Sequence, residues 1–245
     1  MRSLTAAELL SIWERGWGVT PSERALALLA PAFPQTSTED LAALSIGERD
    51  GRLLELREAT FGPQIAATAV CPGCGQRLEL AMEVAEIRVP APAEQPRESI
   101  GLSVEDYDVR FRLPTTADVA AVAKESELAS ARQSLLQSCL LSARQSNIDV
   151  PPDRLPDHVV TAIVARMAEV DPQANVQLAL SCPNCHARWE ETFDITSFFW
   201  SELDVWGRRL VREVHTLASA YGWREADIVA MSPLRRQMYL ELVGT

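Results

Sequence analysis

Two short cysteine motifs constrain this chain more than any other feature: Cys71-Pro72-Gly73-Cys74 and Cys182-Pro183-Asn184-Cys185. A Cys-x-x-Cys loop brings two thiolates close enough to reach one tetrahedral ion, and two such loops complete a closed four-sulfur shell suited to structural zinc. The two copies also match outside the cysteines at a constant offset of 111 positions. Arg77, Leu78 and Glu79 match Arg188, Trp189 and Glu190, and Met82, Glu83 and Val84 match Phe193, Asp194 and Ile195. Upstream, Ile65, Ala67 and Ala69 match Val176, Leu178 and Leu180. Each copy reads as strand, knuckle, strand. Two such hairpins around one Zn2+ ion, held by Cys71, Cys74, Cys182 and Cys185, make a zinc ribbon split by a long insertion.

Other uses of these cysteines fit less well. Redox Cys-x-x-Cys motifs open a helix in a βαβ unit, whereas strand-like residues follow here. Disulfides need an oxidising compartment, for which nothing in the sequence argues. Catalytic zinc needs an open coordination position, which four sulfurs do not leave. His186 follows the second knuckle where Gly75 follows the first. That position favours a left-handed backbone, so a turn role is expected for His186 rather than a fifth ligand. Cys139, in an apolar run from Leu135 to Leu141, reads as a small buried hydrophobe.

The chain of 245 residues is long enough for a real core, and 47% hydrophobic against 23% charged residues is a globular balance. A net charge of −11 argues against nucleic acid or an anionic membrane as a general partner. Residues 197–245 hold six acidic and six basic side chains, so residues 1–196 carry the whole negative excess. Lys124 is the only lysine, which fits a GC-biased genome better than a functional demand for guanidinium. No apolar run reaches the length of a membrane span, and Glu8 interrupts the candidate signal core at the start. A cytoplasmic location is expected, where thiols stay available to metal.

The expected fold class is α+β, a mainly helical protein around the split ribbon. Residues 1–62 form an N-terminal helical region, 63–89 the first hairpin, 90–171 a linker, strand and helical insertion, 172–196 the second hairpin, and 197–245 a C-terminal helical region. Thr5 with Glu8, Thr20 with Glu23, Ser37 with Asp40 and Ser45 with Glu48 read as capping boxes or near versions of them. Pro90, Pro92 and Pro96 mark the linker. Tyr107, Val109 and Phe111 alternate with charged residues as one half-buried strand. A helical stretch opens at Thr116 and Asp118 and runs, with a break, to about Ser146, and another helix follows at about 157–169. Phe199, Leu203, Trp206, Leu210, Val214, Leu217 and Tyr221 then recur at helical spacing up to a Gly222 cap. A short helix near Ala226–Met231 and a last one from Pro233 close the chain. Glu190, Glu191 and Asp194 read as the solvent face of a strand, and His215 as solvated or structural.

The sequence has no Gly-rich phosphate loop, no Gly-x-Ser-x-Gly and no His-Glu-x-x-His, and its three histidines stand in no catalytic spacing. The expectation is a protein that is not an enzyme and that works by binding other proteins. Several stretches carry a resemblance: Ile46-Gly47-Glu48-Arg49-Asp50 with Leu53 to Glu58, Phe61-Gly62, the first knuckle through Gly75, and Asp171-Pro172-Gln173-Ala174. Tyr221 to Glu225 and Ser232 to Arg236, leading to Tyr239-Leu240, continue it. Together they resemble the baseplate protein family of contractile phage tails, which includes hub assembly chaperones and has counterparts beside bacterial contractile injection systems. The resemblance implies assembly of the baseplate hub or wedge by protein–protein contact and no catalysis. It does not supply the zinc, because not every member has the cysteine pairs. A zinc-ribbon regulator of transcription that binds nucleic acid is the competing expectation, and the charge balance opposes it.

The partner surface is expected in the C-terminal stretch, which lacks net repulsive charge and concentrates Trp223, Arg235, Arg236 and Tyr239. Arg235, Arg236 and Tyr239 share one side of a helix beginning at Pro233. Leu234, Met238 and Leu242 are expected to hold that helix on the body. The plainer alternative is that both arginines pair with acids such as Glu225 or Asp227.

Overall fold

The structure, a computed structural model, describes residues 1–90 and 99–244. Pro92 and Pro96 of the expected linker lie outside the described residues.

The chain opens with helices α1 (Ala6–Arg15), α2 (Pro21–Ala32), α3 (Thr38–Ala42) and α4 (Ile46–Phe61). Thr5 and Thr20 each accept from the backbone N–H three residues on, while Glu8 and Glu23 reach back, so both are complete capping boxes. Ser37 and Ser45 cap α3 and α4 through the hydroxyl. Gly62, at φ +88°, ends α4 and lets the chain turn into β1 (Gln64–Val70), which pairs with β2 (Arg77–Glu83). The four-residue helix α5 (Val84–Ile87) follows.

Residues 100–170 build a second unit of secondary structure. Strands β3 (Ile100–Val104), β4 (Tyr107–Phe111), β5 (Leu140–Gln145) and β6 (Ile148–Asp149) form an antiparallel sheet in that order. Helices α6 (Thr116–Val122) and α7 (Leu128–Cys139) lie between β4 and β5, and α8 (Asp157–Val170) follows β6. Tyr107, Val109 and Phe111 face inward as their alternation predicts and pack with Ala143, Val159 and Ile163. The expectation of one strand and of helix to Ser146 is corrected: Leu140–Gln145 is extended. Along β5 only Ala143 is buried, so no alternation marks it in the sequence. Its conformation is decided by pairing with β4 and by Ser146 and Asn147, whose φ of +47° and +70° make the two-residue turn into β6.

The chain returns through a 3-10 turn at Pro172–Asn175 to β7 (Gln177–Ser181) and β8 (Arg188–Thr192), a second two-stranded sheet. Then come α9 (Ile195–Tyr221), α10 (Glu225–Val229) and α11 (Pro233–Val243). Asp194 corrects another expectation. It is not a strand-face carboxylate but the N-cap of α9, accepting from Thr196 N–H at 2.9 Å and Ser197 N–H at 3.3 Å. The main core gathers leucines of α2 and α4 against Ile12 of α1 and Phe199 and Leu203 of α9. Two glycines allow that packing. A Cβ on Gly207 would meet Trp13 at 2.7 Å, and one on Gly16 would overlap the Trp200 ring.

Candidate functional site

The two hairpins have one register. Val70 pairs with Arg77 and Ser181 with Arg188, Ala69 with Leu78 and Leu180 with Trp189, each at the offset of the sequence repeat. At each tip the same hydrogen bonds close the knuckle. Gly75 N–H donates to Cys71 O at 2.9 Å and His186 N–H to Cys182 O at 3.0 Å. Cys71 N–H and Cys182 N–H donate to Gln76 O and Ala187 O, both at 2.9 Å. Gly75 and His186 stand at φ +73° and +61°, so His186 fills the left-handed turn position, as its place in the repeat predicts.

The tips bring Cys71, Cys74, Cys182 and Cys185 together, with all four Sγ atoms within 4.8 Å of one another. Cys71 and Cys185 are 3.5 Å apart, and Cys74 and Cys182 are 3.7 Å apart. Four sulfurs at about 2.3 Å from one tetrahedral ion are separated by about 3.8 Å. The closest pairs therefore have the spacing of a shared-ion shell rather than of bonded disulfides. The four thiols could hold one metal ion. Cys71 and Cys182 are buried, while Cys74 and Cys185 are at the surface.

The electrostatics of the four thiols suit a metal cation. The Gln76 amide, with Asn184 assisting, holds the Cys74 thiol down at about 6. The Ala187 amide favours ionisation of Cys185, but Cys71 and Cys74 override it and push that thiol up to about 12. Four adjacent thiols cannot all ionise alone, and a cation at their centre removes the conflict. Two residues around the sulfurs were not singled out from the sequence. Asn184 Nδ2 lies 3.7 Å from Cys74 Sγ, and a Cβ on Gly73 would meet Ala187 Cβ at 3.2 Å and Cys185 Sγ at 3.5 Å. The legible signal was their equivalence: Gly73 and Asn184 occupy the same place in the two knuckles. Cys139, outside the cluster, is 1% exposed, and burial pushes its thiol up to about 11.

A buried junction sets where the second hairpin starts. Gly47 N–H, at the start of α4, donates to Asp171 Oδ2 at 2.9 Å. Val89 N–H donates to Gln173 Oε1 at 2.7 Å. Asp171 is 3% exposed, and a Cβ on Gly47 would collide with its carboxylate. Thus Ile46–Asp50 and Asp171–Ala174, two stretches that carry the family resemblance, meet although the whole insertion separates them.

A family model described as T4 bacteriophage base plate protein matches residues 27–200, well over half of the chain. The chain belongs to this base plate family. The match begins in α2, takes in both cysteine pairs and the Gly47–Asp171 junction, and ends within α9. No curated protein and no solved structure matches the chain at a significant level. Among the described residues of this base plate family protein, no helix is long and apolar enough to cross a membrane.

The match stops before the C-terminal stretch expected to meet a partner. There the structure brings three of the four expected residues together. Trp223 stacks on Tyr221 at 4.4 Å, Tyr239 meets the Trp223 edge at 4.8 Å, and the Arg235 guanidinium lies 5.7 Å from the Tyr239 ring. Arg236 does not join them. It is 3% exposed and donates to Glu213 Oε2 at 2.9 Å and Met231 O at 2.6 Å. The expected anchoring of α11 is likewise corrected, because Leu234, Met238 and Leu242 are 72%, 59% and 65% exposed. Arg236, buried against Glu213 of α9 and the Met231 carbonyl, puts the Arg236 side of α11 on α9, and the apolar stripe turns outward. The acid that Arg236 finds is Glu213 of α9, not the expected Glu225 or Asp227.

Proposed function

We propose that this chain is a zinc-stapled, non-catalytic assembly protein of a contractile baseplate, acting on hub or wedge proteins through protein–protein contact. The observation that carries the metal half is the four-thiolate cluster, its spacing matched to one Zn2+ ion and its ligand set closed to water and substrate. Membership of the base plate family carries the assembly half. In this reading the hairpins form a split zinc ribbon, and the ion ties the two ends of the insertion to each other. Zinc would supply cross-linking here rather than Lewis-acid chemistry. The cluster of exposed Tyr221 and Arg235 with partly exposed Trp223 and Tyr239 supplies the aromatic and guanidinium groups that anchor interfaces. Arg236 holds α11, which carries Arg235 and Tyr239, on α9 through Glu213.

Two measurements test the proposal. Elemental analysis of the purified chain should find one zinc per molecule, and Cys182→Ser should lose it; a metal-free, fully stable chain defeats the staple. Co-purification from cells assembling the particle should recover hub or wedge components with the wild-type chain. Trp223→Ala with Arg235→Glu should lose them at unchanged zinc content. Sub-micromolar binding of a defined DNA sequence at physiological salt would instead favour a regulator of transcription.

A further inference from the structure

The outward face of α9 is basic on an acidic molecule. Val205, Arg208, Arg209 and Arg212 are exposed and recur at three- and four-residue steps, opposite the buried Leu203, Gly207 and Leu210. That face exposes three guanidinium groups, while Glu202, Asp204 and Glu213 along its edges are only partly exposed, in a chain of net charge −11. Each of these three acids is shared with a donor from another element, Glu202 accepting from buried Arg57 at 2.6 Å. Asp204 accepts from Arg208 at 2.9 Å and from the Trp13 indole at 2.8 Å. Glu213 accepts from Arg209 at 2.8 Å and from buried Arg236 at 2.9 Å. Arg212 forms no ion pair among the described residues. Two apolar groups accompany the arginines: Val205, 67% exposed, and Trp17, 55% exposed, whose ring lies 5.1 Å from the Arg208 guanidinium.

We propose that this face docks an acidic amphipathic helix of a partner protein. Guanidinium groups pair with carboxylates in a fixed fork, and an exposed tryptophan beside an arginine is a typical interface anchor. Val205, one turn before Arg208 and Arg209, offers an apolar contact to such a helix. A helix about 10 Å across can lie along α9, and the net charge of −11 opposes a nucleic-acid duplex there. That the partner is a baseplate protein rests on the function proposed above; the acidic-helix chemistry does not.

The test uses the full zinc-loaded chain and a fluorescently labelled synthetic peptide of about twenty residues, with leucine at helical a and d positions and glutamate elsewhere. A lysine-for-glutamate peptide and a DNA duplex serve as the other arms. The glutamate peptide should bind, weaken as salt rises, and lose roughly tenfold or more in affinity with Arg208→Glu plus Arg212→Glu. Trp17→Ala should weaken it with no change in salt dependence, and Arg212→Glu alone guards against misfolding, since the Arg212 side chain makes no ion pair or hydrogen bond among the described residues. Equal binding of the lysine peptide, preference for the duplex, or indifference to the arginine reversals overturns the proposal. If the peptide binds as expected but the reversed variant still supports particle assembly, the surface stands and its assignment to baseplate assembly fails.

Discussion

His186 shows how one residue separates turn from ligand. Its φ of +61° is one that a non-glycine residue adopts at a cost, and its counterpart Gly75 adopts the same region freely. His186→Gly should therefore keep the full metal content and stabilise the chain by about 0.5–1 kcal/mol. His186→Val should destabilise it by about 1–2 kcal/mol. Metal analysis with thermal melts reads both, and loss of metal from the glycine variant would make His186 a ligand after all. Asp50 gives a second test at this scale. Burial pushes its carboxyl up to about 6, opposed by Arg49 and reinforced by Asp194 and Asp171. The folded value exceeds the ordinary 3.8, so the folded chain binds the proton more tightly. This contribution is complete below pH 3.8, is lost as pH rises through about 6, and is worth on the order of 3 kcal/mol. Asp50→Asn should melt higher than wild type at pH 7, and the difference should shrink towards pH 5. Comparing the two at each pH cancels the metal site. Asp118, held down at about 2 by Arg112, loses stability only as pH falls below 3.8 and so leaves that window clear.

At the scale of elements, what matters is how closely backbones approach and which polar groups are buried between them. Arg57 of α4 is 2% exposed, yet its guanidinium is engaged by Glu202 of α9 at 2.6 Å and by the carbonyls of Gly62 and Gln64, both at 2.7 Å. One side chain thus ties α4, its C-terminal turn, the entry to β1 and α9. Arg57→Ala should cost about 3–5 kcal/mol, because it leaves a carboxylate and two carbonyls without their donor. Denaturant titration checks it, and a cost near zero would show that water replaces the guanidinium there. Gly207 acts by absence. Alanine there would push Trp13 away, strain its bond to Asp204 and separate α1 from α9, at a cost of about 1–3 kcal/mol. The same denaturant measurement on Gly207→Ala reads that cost, and stability equal to wild type would mean that Trp13 yields freely.

At the scale of the molecule, an ion on the four clustered cysteines would close a loop made of the entire insertion. Site formation in zinc-finger peptides is worth about 10–16 kcal/mol, so a chelator should unfold both hairpins. It should also raise hydrogen exchange in β3 to β6 and α8, whose two connections to the rest then end in untethered strands. The core of α1, α2, α4 and α9 uses no metal ligand and should keep its protection. Uniform protection before and after metal removal would show that packing alone holds the insertion.

The sequence by itself determined the features that local rules govern. The repeated knuckles give the four clustered cysteines, and both their matched register and the left-handed turn at His186 follow from that repeat. Thr5, Thr20, Gly62 and Gly222 mark helix ends because caps are satisfied within a few residues, and the long apolar stripe of α9 declares a buried face. Tertiary structure decided whatever depends on a distant partner. Leu140–Gln145 became strand because β4 offered it an edge. Asp194 became a cap because a helix began beside it. Arg236 turned inward because Glu213, on another helix, and the Met231 carbonyl both accept from it, and that rotation exposed the leucines whose spacing pointed to the core. Helical periodicity shows that α11 has distinct sides, but which side is buried is decided by the charge it meets across the interface.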